Sequence, residues 1–302
     1  MKTNKPIFTG SGVALVTPFD EEFNINYQKL RELIDFHLQE ETDAIIITGT
    51  TGEASTMTDE EQLAVVDATV KHVNGKIPVI AGCGSNDTRH GIELSKRAAA
   101  LGVDGLLIVT PYYNKTSQQG LIAHYKAIAK QVMETPIILY NVPSRTGMSI
   151  NPETYLELSK IDNIVATKEA SGDLEHIKRI RQLCSDTLDI YSGNDDQIAD
   201  ILDLNGIGVI SVLANILPDV AHCLATPHMI PSKFNHYSQE YYNPLVDVLF
   251  MKDCPSPIAV KEAMNLMGME VGEPRLPLIR MDIKKQEILK ETLSKFVRIK
   301  ER

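Results

Sequence analysis

Basic charge is in deficit in this chain: 30 lysines and arginines stand against 40 aspartates and glutamates, a formal net charge of −10 over 302 residues. Nucleic acid is therefore not an expected partner, because neutralising phosphates needs a basic face. A small anionic substrate would be drawn in by local cations, not by the field of the whole molecule. Cysteine is scarce. The four, Cys83, Cys184, Cys223 and Cys254, lie far apart without a Cys-x-x-Cys pair, the usage of reduced thiols in a cytoplasmic protein. No apolar run approaches about 18 residues, and Met1 to Gly12 carries no basic-then-apolar signal, so neither a membrane span nor a leader is expected. The eight histidines show no His-x-His or His-x-x-x-His spacing, which argues against a zinc site or a metal-dependent aldolase. Gly-x-Ser-x-Gly elbows and phosphate loops are missing as well. Gly82-Cys83-Gly84 is too short for a dinucleotide fingerprint and reads as a tight turn after a strand.

What is there is a rhythm. Hydrophobic residues make up 43 % and charged residues 23 % of the chain, a globular profile with room for one large barrel plus an appendage, or for two ordinary domains. Short Val- and Ile-rich runs recur at Val13–Thr17, Ala44–Thr48, Pro78–Gly82, Gly105–Thr110, Pro136–Asn141, Ile164–Lys168, Leu188–Ser192 and Ile207–Val212. Apolar runs of this length without alternation suit strands buried on both faces, as in a parallel sheet. Between them, helical periodicity marks Tyr27–Gln39, Glu60–Val73, Thr88–Leu101, Ser117–Met133 and Leu174–Leu183. Thr58 with Glu61 reads as a capping box, and Asn151-Pro152 as a helix start. Gly75 and Gly102 sit where left-handed C-terminal caps are expected. Eight strand-helix units in about 220 residues predict a (β/α)8 TIM barrel; a doubly wound open sheet is the rival. From about Ser232 the strands stop and helical stretches continue, at Tyr237–Met251 and Pro257–Met267. The expected organisation is a catalytic barrel over residues 1–231 and a small helical C-terminal domain over 232–302.

A barrel directs the C-terminal ends of all its strands into one mouth, where the chemistry collects. Those ends carry Gly49-Thr50-Thr51-Gly52-Glu53, Pro111-Tyr112-Tyr113-Asn114, Tyr140-Asn141 followed by Arg145, Lys168-Glu169 and Ser192-Gly193-Asn194. Lys168 ends an apolar run, so its stem should leave the barrel core, where burial lowers an ammonium pKa and frees the nucleophilic amine. The plainer alternative is a surface lysine paired with Glu169. Thr50-Thr51 between glycines is either a tight turn or a carboxylate cradle of amides and hydroxyls. Tyr140 is either a packing aromatic or a phenol that moves protons beside an attacking amine. Arg145 is either a solvated charge or a clamp for a second carboxylate.

These motifs, with Gly12-Val13-Ala14-Leu15-Val16-Thr17-Pro18-Phe19, Tyr140-Asn141-Val142-Pro143-Ser144-Arg145-Thr146-Gly147, Lys168-Glu169-Ala170-Ser171-Gly172 and Arg275-Leu276-Pro277, give the chain a resemblance to the dihydrodipicolinate synthase / N-acetylneuraminate lyase family over nearly its whole length. The resemblance implies a lyase that needs no metal or organic cofactor. Lys168 resembles the Schiff-base lysine that condenses with pyruvate, and Tyr140 the acid/base tyrosine. Thr51 matches the threonine that links Tyr140 to a second tyrosine. Tyr113 looks like that second tyrosine, which in the family enters the neighbouring subunit's site, within a homotetramer built as a dimer of dimers. Thr50 and Thr51 match the pyruvate carboxylate site, and Gly193 and Ile210 the positions whose carbonyls line the pocket. Arg145 resembles the residue that receives the carboxylate of L-aspartate 4-semialdehyde. Sialic-acid lyases in the family typically have a serine-threonine pair in place of Thr50-Thr51 and lack the arginine, so the implied reaction is the synthase's. The alternatives are a lyase for N-acetylneuraminate or a 2-keto-3-deoxy sugar acid, and a keto-acid-binding barrel without turnover. Lysine-inhibited members usually carry a serine and histidines where this chain has Ala54, Asp59 and Gln62. Asn86 and Tyr112 do fit the family's effector pocket, and weak or absent inhibition by lysine is the expectation.

Overall fold

The computed structural model describes residues 5–226 and 232–299. Eight parallel strands close on themselves in chain order: β1 (Gly10–Ala14), β2 (Ala44–Ile47), β3 (Val79–Gly82), β4 (Gly105–Val109), β5 (Ile137–Asn141), β6 (Ile164–Glu169), β7 (Asp189–Ser192) and β8 (Gly208–Ser211). The ring is sealed by β1 against β8, with Gly12 opposite Ile210. Closure is tight at that seam: a Cβ on Gly208 would stand 2.1 Å from the Gly10 carbonyl oxygen, so no side chain fits there. The open doubly wound sheet is thereby excluded.

Both faces of each strand are dry, which is why the runs are continuous rather than alternating. Ile46, Ile80, Leu107, Ile138, Ala166 and Ile210 point into the lumen and form one apolar cluster. Their neighbours Ile45, Val79, Leu106, Ile137 and Ile190 point outward into the larger core shared with the helices. Tyr191 fills the lumen where β1 enters, stacking on Phe8 at 4.4 Å and donating its hydroxyl to the Phe8 carbonyl at 2.7 Å.

Among the described residues, the helices that alternate with or follow the strands are α1 (Tyr27–Gln39), α2 (Asp59–Val73), α3 (Thr88–Ala100), α4 (Gln118–Ala129), α5 (Pro143–Thr146), α6 (Pro152–Leu158), α7 (Leu174–Cys184), α8 (Ile198–Asp203) and α9 (Pro218–Ala225). The capping box of α2 is formed in both directions, at 2.9 and 3.2 Å. Proline opens α6 as its position demands. Strands β2 to β8 fall within one residue of the expected bounds at each end, whereas β1 departs further: it runs Gly10–Ala14, three residues ahead of Val13–Thr17 at both ends. Beyond it the Val16 amide turns to Asn215 Oδ1 at 3.1 Å and the Thr17 hydroxyl to the Gly52 carbonyl at 2.6 Å. An apolar run records burial, and these residues stay buried after leaving the ladder.

Helices α10 (Ser232–Leu249), α11 (Ile258–Leu266) and α12 (Ile283–Leu293) follow among the described residues. The expected division between barrel and extension adjoins residues 227–231, which lie outside the described residues. Leu245, Leu249, Ile258, Val260 and Met264 join the outer core of the barrel rather than forming one of their own. Helix α12 has no counterpart in the sequence pattern, because only Leu289 and Leu293 of its eleven residues are buried.

Candidate active site

Position in the β5–β6 ladder brings the two central groups together. Tyr140 and Lys168 are direct register partners, both on the lumen side, and the Lys168 amine lies 4.6 Å from the centre of the Tyr140 ring. Both are nearly dry, at 5 % and 7 % exposure for Lys168 and Tyr140. Burial pushes the Lys168 pKa down to about 8; the Asp195 carboxylate opposes that shift and the Arg145 guanidinium adds to it. The same burial raises the Tyr140 phenol, against the lowering influence of Arg145 and of a hydrogen bond with Thr50. A lysine near 8 beside a tyrosine held protonated is an amine that can attack and a phenol that can relay a proton.

The pairing of Lys168 with Glu169 at the surface does not occur. Alternation along β6 sends the Glu169 side chain to the outer face, where it is buried and accepts hydrogen bonds from Tyr155, Asn141 Nδ2 at 2.9 Å and Ser171 Oγ at 2.7 Å. This network braces the strand behind the lysine, and burial raises the Glu169 pKa.

Arg145 stands in α5, the single turn that follows Val142, and is exposed. With Thr48, Gly49, Thr50, Tyr140 and Val142 it lines a cavity of about 420 Å³. Lys168 does not line this space and meets it through the Tyr140 ring. Thr50 is exposed at the mouth whereas Thr51 is buried. Thr50 is the threonine that lowers the Tyr140 phenol against its burial; the Thr51 hydroxyl lies 3.2 Å from Ser256 Oγ. Within one chain Thr50 is thus the threonine that acts on Tyr140, and Thr51 is engaged by the C-terminal segment. Tyr113 is not brought to this site by its own chain: its side chain is 91 % exposed on a backbone with φ 68°.

Gly193 follows β7, its amide donating to the Glu169 carbonyl at 2.6 Å. A Cβ there would come within 2.9 Å of that carbonyl oxygen and 2.7 Å of the Ala170 methyl, so the close approach requires glycine. Ile210, fully buried in β8, stands in the lumen cluster with Tyr140. Tyr112 lines the far side of the cavity with Asp59, Gln62 and His90. Asn86 lies beside that region, its carbonyl accepting from Asn114 Nδ2 at 2.9 Å.

Several contributors escaped the sequence pattern. Asp195, two residues past Gly193, is buried, accepts from the Val212 and Leu213 amides at 3.0 and 2.9 Å, and lends negative charge to Lys168. His90 bridges Asp59 at 2.9 Å and Ser85 at 3.0 Å. Ser256 and Lys261 reach the mouth from more than 200 positions away. Only Lys261 left a trace, as one of two adjacent charges, with Glu262, inside a mostly apolar helical stretch. Among the described residues no group of three His, Cys, Asp or Glu side chains could hold a metal ion.

A closed eight-strand barrel with a dry lysine and tyrosine side by side at its mouth defines a class of enzymes that work through a reactive amine. The chain belongs to the dihydrodipicolinate synthetase family, whose model matches residues 7–296. It is 54 % identical over 298 residues to the 4-hydroxy-tetrahydrodipicolinate synthase of Thermoanaerobacter sp. (strain X514), covering 98 % of this chain and 99 % of that one. Its fold matches the chloride-inhibited dihydrodipicolinate synthase of Acinetobacter baumannii complexed with pyruvate, at a TM-score of 0.91 and 39 % identity over 95 % of this chain and 98 % of that one. The enzyme from Cyanidioschyzon merolae with lysine bound superimposes at a TM-score of 0.92 and 37 % identity, over 96 % and 98 % of the two chains.

Proposed function

We propose that the chain joins pyruvate to L-aspartate 4-semialdehyde through an imine on Lys168, giving 4-hydroxy-tetrahydrodipicolinate at the entry to diaminopimelate and lysine. The observation that carries this reading is the Lys168 amine, buried, near neutrality in pKa and 4.6 Å from the Tyr140 ring. The neutral amine attacks the keto carbon of pyruvate, and the carbinolamine loses water to leave the imine, with Tyr140 relaying the protons. Loss of a methyl proton gives the enamine, whose carbon forms the new bond to the aldehyde carbon of the semialdehyde. The acceptor's amine then attacks the imine carbon, closing the ring and expelling Lys168. Thr50 and Thr51 cradle the pyruvate carboxylate, and the carbonyls of Gly193 and Ile210 bound the pocket. Arg145 takes the acceptor's carboxylate in a charge-assisted pair worth about 1.5–3 kcal/mol, one to two decades of preference over a neutral sugar chain.

Tyr113 serves the mouth of a neighbouring copy in this reading, so the working unit is at least a dimer, assembled further into a homotetramer. Three of the four unpaired cysteines are buried, which supports a reducing, cytoplasmic setting. The test is an assay of pyruvate with aspartate semialdehyde coupled to a reductase that consumes the cyclic product. Parallel reactions hold sialic acid and keto-deoxy sugar acids and are read for pyruvate release. Turnover confined to the semialdehyde is expected; turnover confined to a sugar acid would overturn the assignment of Arg145 while keeping the imine.

A further inference from the structure

We infer that Ser256 and Lys261 of the C-terminal segment are positioning residues for the carboxylate cradle, gripping Thr51 and Glu53 so that the turn from Gly49 to Ala54 presents its threonines to the keto acid. The inference rests on the proposed role of Thr50 and Thr51. Glu53, which that chemistry leaves unused, is 2 % exposed. It stands in the left-handed region at φ 56° and ψ 33°, a conformation that a non-glycine residue keeps only where its surroundings impose it.

Those surroundings come from far along the chain. Glu53 Oε1 accepts from Lys261 Nζ at 2.7 Å, and Oε2 from the Arg275 amide at 2.8 Å. Lys261 is 1 % exposed and also donates to the Glu273 carbonyl at 3.2 Å. Phe19 covers both cations, its ring centre 4.3 Å from Lys261 and 4.4 Å from Arg275. The carboxylate is thus fixed on both oxygens. Its own amide closes the turn onto the Thr50 carbonyl at 3.1 Å, and the Ala54 amide closes onto Gly49 at 3.3 Å. Holding Glu53 therefore holds Thr50.

Ser256, just ahead of α11, acts on Thr51 directly. Their hydroxyl oxygens are 3.2 Å apart and either can donate. With Ser256 as donor, the Thr51 hydrogen is left for an incoming carboxylate; without Ser256 that hydroxyl turns freely. Stability alone does not call for this arrangement. Well-packed apolar residues often replace a buried ion pair at no loss, and specific geometry is what such a pair secures here.

The experiment compares Ser256→Ala and the paired variant Glu53→Gln/Lys261→Met with the wild-type chain, following borohydride-trapped pyruvate adduct against pyruvate concentration. Steady-state constants for both substrates and the thermal midpoint are measured alongside. We expect Ser256→Ala to raise the half-saturating pyruvate concentration about tenfold, the worth of one oriented hydrogen bond to a charged group. The KM for the semialdehyde and kcat at saturating pyruvate should stay near their wild-type values, a split that a merely structural role would not produce. The paired variant should shift pyruvate saturation in the same direction. Should it fail to fold, Ser256→Ala decides alone. Wild-type pyruvate saturation in folded variants would overturn the positioning role and leave the imine intact. Absence of any adduct in the wild-type chain would overturn the imine itself, and this inference with it.

Discussion

A lysine amine is nucleophilic only in the fraction that has lost its proton, so the environment of Lys168 sets the pH at which the chemistry starts. With the pKa lowered from 10.5 to about 8, about a tenth of the amine is free at pH 7, against less than about one part in a thousand for an ordinary lysine. Below pH 8 the free fraction falls about tenfold for each unit of pH, and above it the gain levels off. The rate of adduct formation, trapped with borohydride at fixed subsaturating pyruvate, should follow that curve, with a bend near pH 8 rather than near 10.5. Lys168→Ala should give no adduct at any pH. A rate still climbing tenfold per unit beyond pH 9 would show that the lumen does not depress the lysine. Lys168 was legible in the sequence because a charge ending an apolar strand is a local signal. Asp195, which tempers the shift, was not: the Gly193 turn and the barrel closure together bring it to Lys168, and neither is written in spacing.

At the scale of elements, legibility follows burial on two faces. Strands β2 to β8 were readable because the barrel dries both sides of each, whereas α12, with two buried residues, left almost no apolar period. The turn after β2 was readable as a motif but not as a structure, since its shape is imposed by Ser256, Lys261 and Arg275. The same turn leads into α2, whose first residues face the far end of the cavity. There Asp59 is engaged by His90 at 2.9 Å, and the Gln62 amide is spent on the Ala54 and Met57 carbonyls at 3.0 and 3.3 Å. An amino-acid effector would have to displace these internal bonds before using either side chain. Lysine inhibition should therefore be weak: a titration should leave most activity at about 1 mM lysine, which corresponds to less than roughly 4 kcal/mol of binding. Half-inhibition well below that concentration would mean that Tyr112 and Asn86 suffice.

For the molecule as a whole, one buried histidine links stability to acid. His37 is fully buried on α1, held through Nδ1 by Thr42 at 2.9 Å with Nε2 unpartnered, and burial depresses its pKa to about 3. The unfolded chain binds the proton near pH 6.5 and the folded chain does not. The stability from keeping His37 neutral is thus complete above pH 6.5 and is lost as the pH falls toward 3, at about 1.4 kcal/mol per unit. Glu169 and Asp195, raised by burial, act in the opposite direction, so the contribution is isolated by comparison with a His37→Leu chain. Between pH 6.5 and 5 the wild type should lose about 2 kcal/mol more than the variant in denaturant unfolding; parallel losses would mean that His37 is protonated in the fold.

Assembly is the other whole-molecule property, and the proposed place of Tyr113 in a neighbouring copy makes it testable. An aromatic side chain 91 % exposed on a left-handed backbone gains nothing from its own chain, and burial against a second copy would recover about 1.5–3 kcal/mol of apolar transfer per side. The sequence offers a clean reporter, because it contains no tryptophan. A Tyr113→Trp chain carries a single indole at the position in question. If Tyr113 enters a neighbouring mouth, the indole should emit as a buried group at concentrations where light scattering gives a dimer or larger. On dilution its emission should move to the red in step with the fall in mass, and pyruvate turnover should fall with it. A solvent-like emission in the assembled state would place Tyr113 outside the interface, and the relay from Tyr140 would then end at Thr50 within each chain.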